Sequence, residues 1–131
     1  HVILSLPWDD IRDIRETARI INVLNVNEVK IHSLFIIKGT KLCQMYENNE
    51  FVLPSKEDYE KNVIEFLRIL KKDVAISRLV GRAPSEKTVF CNRNTSWWLI
   101  RDEIVQIMVE NGFVQGDKSN EKIYKKIKGD M

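Results

Sequence analysis

The hydrophobic pattern of this chain alternates between short, almost continuously apolar runs and longer stretches whose apolar residues recur every three or four positions. Residues 1–6 form the first run, stopped by Pro7, which has no N–H to donate and so suits a strand end. Ile11, Ile14, Ala18 and Ile21 then recur at helical spacing with Arg12, Arg15, Glu16 and Arg19 turned outward, and Asp9 or Asp10 stands where a cap is needed. Asn25 or Asn27 ends that helix. A second apolar run over 29–40, VKIHSLFIIKGT, reads as a buried strand carrying Lys30 and His32 at positions i and i+2, on one side.

A short helix is predicted over 41–48, with Asn49 as a left-handed cap. A long one follows Pro54 and Ser55: Asp58 stands three residues beyond Ser55, and Tyr59, Val63, Phe66, Leu67 and Leu70 form one stripe. Residues 74–80 read as a third strand ending at Gly81. A loop through Ala83, Pro84 and Ser85 passes Cys91 and reaches Asn94, Thr95 and Ser96, good caps for a last helix over 97–110 that Gly112 closes. From Gly116 the chain is polar and is expected to fray, which gives a domain over 1–116 and a tail over 117–131.

Strands separated by helices require right-handed crossovers and a parallel sheet. The fold class is therefore α/β, with three parallel β-α units. Three parallel strands have two edges and shield little of their own faces, so the missing strands are expected upstream and the chain reads as an excised part of a longer protein. The edge near His1 and the face around Leu34 and Ile36 should then be bare, and the fragment is expected to self-associate.

Composition narrows the partners. The 131 residues are 44% hydrophobic and 31% charged, ordinary for one globular domain, and 21 basic against 19 acidic residues leave a net charge of +2. Overall charge therefore gives no reason to expect nucleic acid or a membrane surface; only 118–128 is locally basic, which reads as a solvated end. No apolar run approaches the roughly 20 residues that cross a bilayer. Cys43 and Cys91 are isolated from each other and from histidine, which supports neither a zinc site nor a disulfide scaffold and fits a reducing, cytoplasmic compartment.

In a parallel sheet the carboxyl ends of the strands meet at one rim, where α/β sheets place their ligands. Segments 5–10, 32–40 and 78–82 bring there Lys30, His32, Lys38, Arg78 and Arg82 as cations, Ser5, Ser33, Thr40 and Ser77 as hydroxyls, and Asp9 as an acid. That set suits a carboxylate, a phosphate or a ribose; polar loops that merely solvate themselves are the plain alternative. Gly39 supplies a backbone shape that glycine adopts easily, but KGT lacks the glycines of a nucleotide triphosphate loop. His32 could serve as an acid or base, Cys91 as a thiol activated by Arg93, and Trp97 with Trp98 as a stacking surface. Burial of the thiol and packing of the tryptophans, split between core and surface, are the commoner outcomes.

These residues also carry a family likeness. HVILSLP, then VKIHSLFIIKGTKL, a helix near Ser55 and the strand AISRLVG resemble the carboxyl-terminal half of the radical S-adenosylmethionine barrel, in the group labelled radical SAM protein or Fe-S oxidoreductase, and more distantly the radical-SAM subunit of Elongator. The likeness implies that the chain is the C-terminal part of a partial (β/α)6, TIM-like barrel. It implies a reaction in which a [4Fe-4S] cluster cleaves S-adenosylmethionine to a 5′-deoxyadenosyl radical, with tRNA among the substrates to consider. The small-molecule cofactor and the upstream half of the same polypeptide are the partners it implies. The cluster's Cys-x3-Cys-x2-Cys motif is not in this sequence, so the fragment alone is expected to hold no cluster and to be inactive. Lys30, His32, Lys38, Thr40, Arg78 and Asp9 are the residues expected to line the cofactor and substrate pocket. Where the family has Gly-Leu-Pro-Gly-Glu, this chain has Ser5-Leu6-Pro7-Trp8-Asp9. A non-catalytic α/β binding or interaction domain fits the same residues and remains the alternative.

Overall fold

A computed structural model describes residues 1–82 and 86–119. Its elements are β1 (Val2–Ile3), α1 (Ile11–Val23), β2 (Glu28–His32), β3 (Phe35–Ile37), α2 (Lys41–Glu47), α3 (Lys56–Ile69), β4 (Ala75–Arg78), β5 (Thr88–Cys91) and α4 (Trp97–Glu110). Strands β1, β2 and β4 form a parallel sheet in the order β1-β2-β4, as the alternation of strands and helices requires. The loop residues Ala83, Pro84 and Ser85 and the basic segment beyond Ser119 lie outside the described residues.

Local chemistry fixes the helix ends. Asp10 accepts from the backbone of Arg12 and Asp13 while Asp13 accepts from the N–H of Asp10, a reciprocal cap that starts α1. Asn25, at φ +55°, turns the chain out of it. Thr40 caps α2 and Ser55 caps α3. Asn49 (φ +57°) and Gly112 (φ +68°) take the left-handed conformation after α2 and α4, as predicted.

One face of the sheet carries Val29 and Ile31 into a core shared with Ile14 and Ala18 of α1, Val63, Phe66 and Leu67 of α3, and Ile100 and Ile104 of α4. Apart from Ala18, each such side chain contributes roughly 1.5–3 kcal/mol through its removal from water. Asn22 bolts α1 to the end of α3: 1% exposed, it donates to the Ile69 carbonyl at 2.8 Å and accepts from Lys71 N–H at 2.9 Å. Helices therefore cover one face, and Lys30 and His32, alternating with Val29 and Ile31, lie on the other.

Three expectations are corrected. The apolar run 29–40 is not one strand. At Ser33, whose hydroxyl donates to the Gly81 carbonyl and accepts from the Gly81 N–H, both at 3.1 Å, the chain leaves the parallel sheet. It continues as β3, paired antiparallel with β5, a strand inside the segment expected to be a loop. Because of this, Ile36 is not bare: at 1% exposure it centres a second small core with Cys43, Phe51 and Leu53. Residues 116–118 are tied to α3. Gly116 N–H donates to Leu67 O and Lys118 N–H to Arg68 O, while Arg68 holds Asp117 at 2.8 Å and Lys118 reaches Glu65 at 2.9 Å.

Candidate functional site

The face of the sheet that no helix covers carries the candidate chemistry. Alternation along β2 puts Glu28, Lys30 and His32 on it, and the parallel register places Ile3 beside His32. Opposite β2, the pairing runs Val29 to Ile76 and then, across a shift, Lys30 to Arg78. Ser77 is the extra residue, its hydroxyl 3.4 Å from the Val29 carbonyl. Without the bulge Ser77 would face Lys30; with it, the two cations are opposed.

His1 joins them. Its Nδ1 lies 2.9 Å from Nε2 of His32, one nitrogen donating and the other accepting. Burial holds His32 below its ordinary pKa, and the charges of Arg78 and Lys30 push it further down. Gly81 closes the strand end: a side chain there would begin 3.3 Å from the backbone N of Ser33 and 3.8 Å from Arg78 Cδ. Glu28, at the far end of β2, forms no ion pair, and neither do Lys30 or Arg78 among the described residues.

The other three expected residues stand elsewhere. Thr40 Oγ1 is committed to its helix, accepting from Cys43 N–H at 3.1 Å and donating to Ile37 O at 2.7 Å. Lys38 is exposed at the β3 end, its N–H bonded to Lys87 O, in the antiparallel pair rather than the parallel sheet. Asp9 closes a tight turn, its Oδ2 accepting from Leu6 N–H at 2.9 Å. That turn holds Ser5 at φ +61° and Trp8 at φ +69°, the two positions where the resembling family has glycine. Both residues therefore hold a conformation that glycine adopts at least cost. Ser5 accepts from Asn62 Nδ2 at 2.8 Å, and Trp8, 68% exposed, meets Phe51 edge-on.

Behind the sheet end lies a partly open cavity of about 30 Å³, bordered by Ser5, Ser33, Tyr59, Asn92 and Arg93 among apolar neighbours. The Tyr59 hydroxyl has no partner within hydrogen-bond geometry, and burial raises its pKa to about 12. Arg93, in a left-handed turn with Asn92 and Asn94, gives its guanidinium to the Leu53 and Pro54 carbonyls. Trp97 packs on the core while Trp98 is half exposed. Among the described residues no group of three or more His, Cys, Asp or Glu side chains could hold a metal, and no helix is long and apolar enough to cross a membrane.

Fold and site together define an α/β unit with helices on one side of a parallel sheet and a cationic surface on the other. The chain belongs to the Radical_SAM C-terminal domain family, whose sequence model matches residues 26–110. It is 34% identical over 121 residues to the uncharacterized protein MJ0486 of Methanocaldococcus jannaschii and 29% identical over 116 residues to the uncharacterized protein YtqA of Bacillus subtilis. Each alignment covers 88% of this chain and 36% of the relative, so the chain spans about a third of their length. Its fold matches that of archaeal Methanocaldococcus infernus Elp3 with a TM-score of 0.67 at 20% identity, over 88% of this chain and 27% of the other.

Proposed function

We propose that this chain forms the C-terminal wall of a radical S-adenosylmethionine enzyme's barrel, with its uncovered sheet face lining the cofactor and substrate pocket. The observation that supports this most is the opposition of Lys30 and Arg78, beside the His1–His32 pair, on the one sheet face that no helix covers. The remaining barrel strands pair along the outer edge of β1 and enclose that face, which leaves Lys30, His32 and Arg78 pointing into the interior.

The cluster finds no home in this chain's residues. Cys43 is 2% exposed inside the second core, and burial with the Glu47 carboxylate raises its pKa, the reverse of what a thiolate ligand needs. Two cysteines, Cys43 and Cys91, also fall short of the three thiolates of the cluster motif, so in this reading the cluster ligands come from the rest of the polypeptide. When bound there, the cluster supplies the electron that cleaves S-adenosylmethionine. The part played by this chain is to orient ligands and exclude water: Lys30 and Arg78 give charge-assisted hydrogen bonds, and the helices behind Val29 and Ile31 keep the wall rigid. tRNA is one substrate to test, through the fold it shares with Elp3.

Full-length protein, reconstituted with iron and sulfide and supplied with S-adenosylmethionine and a strong reductant, is the test. Formation of 5′-deoxyadenosine is expected. A protein that binds a full complement of cluster and forms none would favour the non-catalytic binding domain.

A further inference from the structure

We infer that the surface formed by Lys30, His32 and Arg78 binds a phosphate group of the substrate, and that it does not seat S-adenosylmethionine. The inference deepens the reading above, in that it takes this face as the substrate side of the pocket.

Like charges directly opposed across neighbouring strands destabilise a sheet. Here the opposition is created by the bulge between Val29 and Lys30, which puts Arg78 where Ser77 would otherwise stand. A regular ladder would have faced Lys30 with a small neutral hydroxyl. An irregularity that costs ladder pairing and also sets two cations side by side is stabilised when an anion sits between them. The only acid alternating with them on β2, Glu28, lies at the opposite strand end and pairs with neither.

The number and kind of donors select the anion. The Arg78 fork and the Lys30 ammonium supply donors, and the His32 ring, whose Nε2 pairs with His1, keeps Nδ1 for a ligand. A phosphate, with three free oxygens and up to two negative charges, can meet all of them; a carboxylate can fill one fork. S-adenosylmethionine carries a carboxylate, an ammonium and a sulfonium at neutral pH, a net positive charge that this surface repels. A groove adjoins this surface, its Arg101 paired with Asp102 at 3.0 Å. Arg78 borders this groove of about 750 Å³, which Arg82, Trp97 and Arg101 complete, room for a further phosphate or nucleotide unit.

The full-length protein tests this by calorimetric titration with pyrophosphate and by anisotropy of a labelled single-stranded RNA. Lys30→Gln and Arg78→Gln are each expected to weaken pyrophosphate binding about tenfold or more, while Lys61→Gln, exposed on α3, leaves it unchanged. If RNA is bound with the same losses, and each removed cation lowers the slope of log affinity against log salt by about 0.7, the phosphate belongs to a nucleic acid strand. Pyrophosphate binding without RNA binding assigns a small phosphorylated molecule. The inference is overturned if both variants bind pyrophosphate like the unaltered protein, or if they lose S-adenosylmethionine in equilibrium dialysis while pyrophosphate binding is intact. Intact phosphate binding in a protein that forms no 5′-deoxyadenosine would sink the radical reading alone, so the two failures are distinguishable.

Discussion

His1 Nδ1 and His32 Nε2 lie 2.9 Å apart, their rings 4.7 Å from centroid to centroid, at the end of the sheet where Lys30 and Arg78 face each other. The two rings share one hydrogen bond, and burial together with the neighbouring cations discourages His32 from taking up a further proton. An anion bound at Lys30 and Arg78 reverses that discouragement, so binding takes up a proton. Sulfate, whose charge is constant in this range, should bind more tightly as pH falls from about 7 toward 5, the region below the ordinary histidine pKa. His32→Gln should flatten the profile, and a profile equally steep in that variant would show that another group responds.

Trp8 carries a bulky side chain at φ +69° with most of its surface in water. Trp8→Gly should be more stable than Trp8→Ala by about 1 kcal/mol, because both lose the Phe51 contact and only glycine escapes the left-handed strain. Equal denaturant midpoints would show that the turn relaxes on substitution.

Glu60 is 3% exposed, with Oε2 unpartnered, and lies against Glu103. Burial, reinforced by Glu103, raises its pKa to about 7 from the 4.5 of a free side chain. The folded state then holds more protons than the unfolded one between those values, so this group's stability contribution is complete below about 4.5 and is lost as pH rises through about 7. Glu60→Gln should remove that loss, seen as a flatter dependence of melting temperature on pH from 5 to 8. An unchanged slope would place the titration elsewhere.

Asn22→Ala leaves the Ile69 carbonyl and the Lys71 N–H without their side-chain partner in a buried position. A cost of about 2–4 kcal/mol is expected in equilibrium unfolding, from two hydrogen bonds and the desolvated groups left behind. A cost under about 0.5 kcal/mol would mean that water replaces the side chain.

The parallel pairing of β1, β2 and β4 was legible because each helix between them shows its period and its caps, from Asp10 to Asn25 and from Ser55 onward; their order in the sheet was not. Lys30 and His32 could be placed on one face by alternation alone. Their partners could not. The opposition of Arg78 to Lys30 depends on a bulge, and that of His1 to His32 on the register of β1, neither of which leaves a mark in local sequence. The break in the apolar run 29–40 was hidden for a similar reason: Ser33 leaves the sheet through hydrogen bonds to Gly81, 48 residues away. Thr40 and Lys38 were placed at the rim by treating that run as one strand. β5, four residues reading Thr-Val-Phe-Cys, was too short to stand out from a loop without β3 beside it.

Chemical footprinting of His32 tests whether the uncovered sheet face lines the ligand pocket. Full-length reconstituted protein is treated with diethyl pyrocarbonate, which acylates neutral imidazole, and modification of His32 is followed by peptide mass spectrometry. S-adenosylmethionine and pyrophosphate are added together or withheld. The free protein is expected to be modified readily at His32, whose pKa is held low, and the ligands are expected to slow the reaction several-fold. An identical rate with and without ligands, in protein shown by calorimetry to have bound them, would contradict that placement.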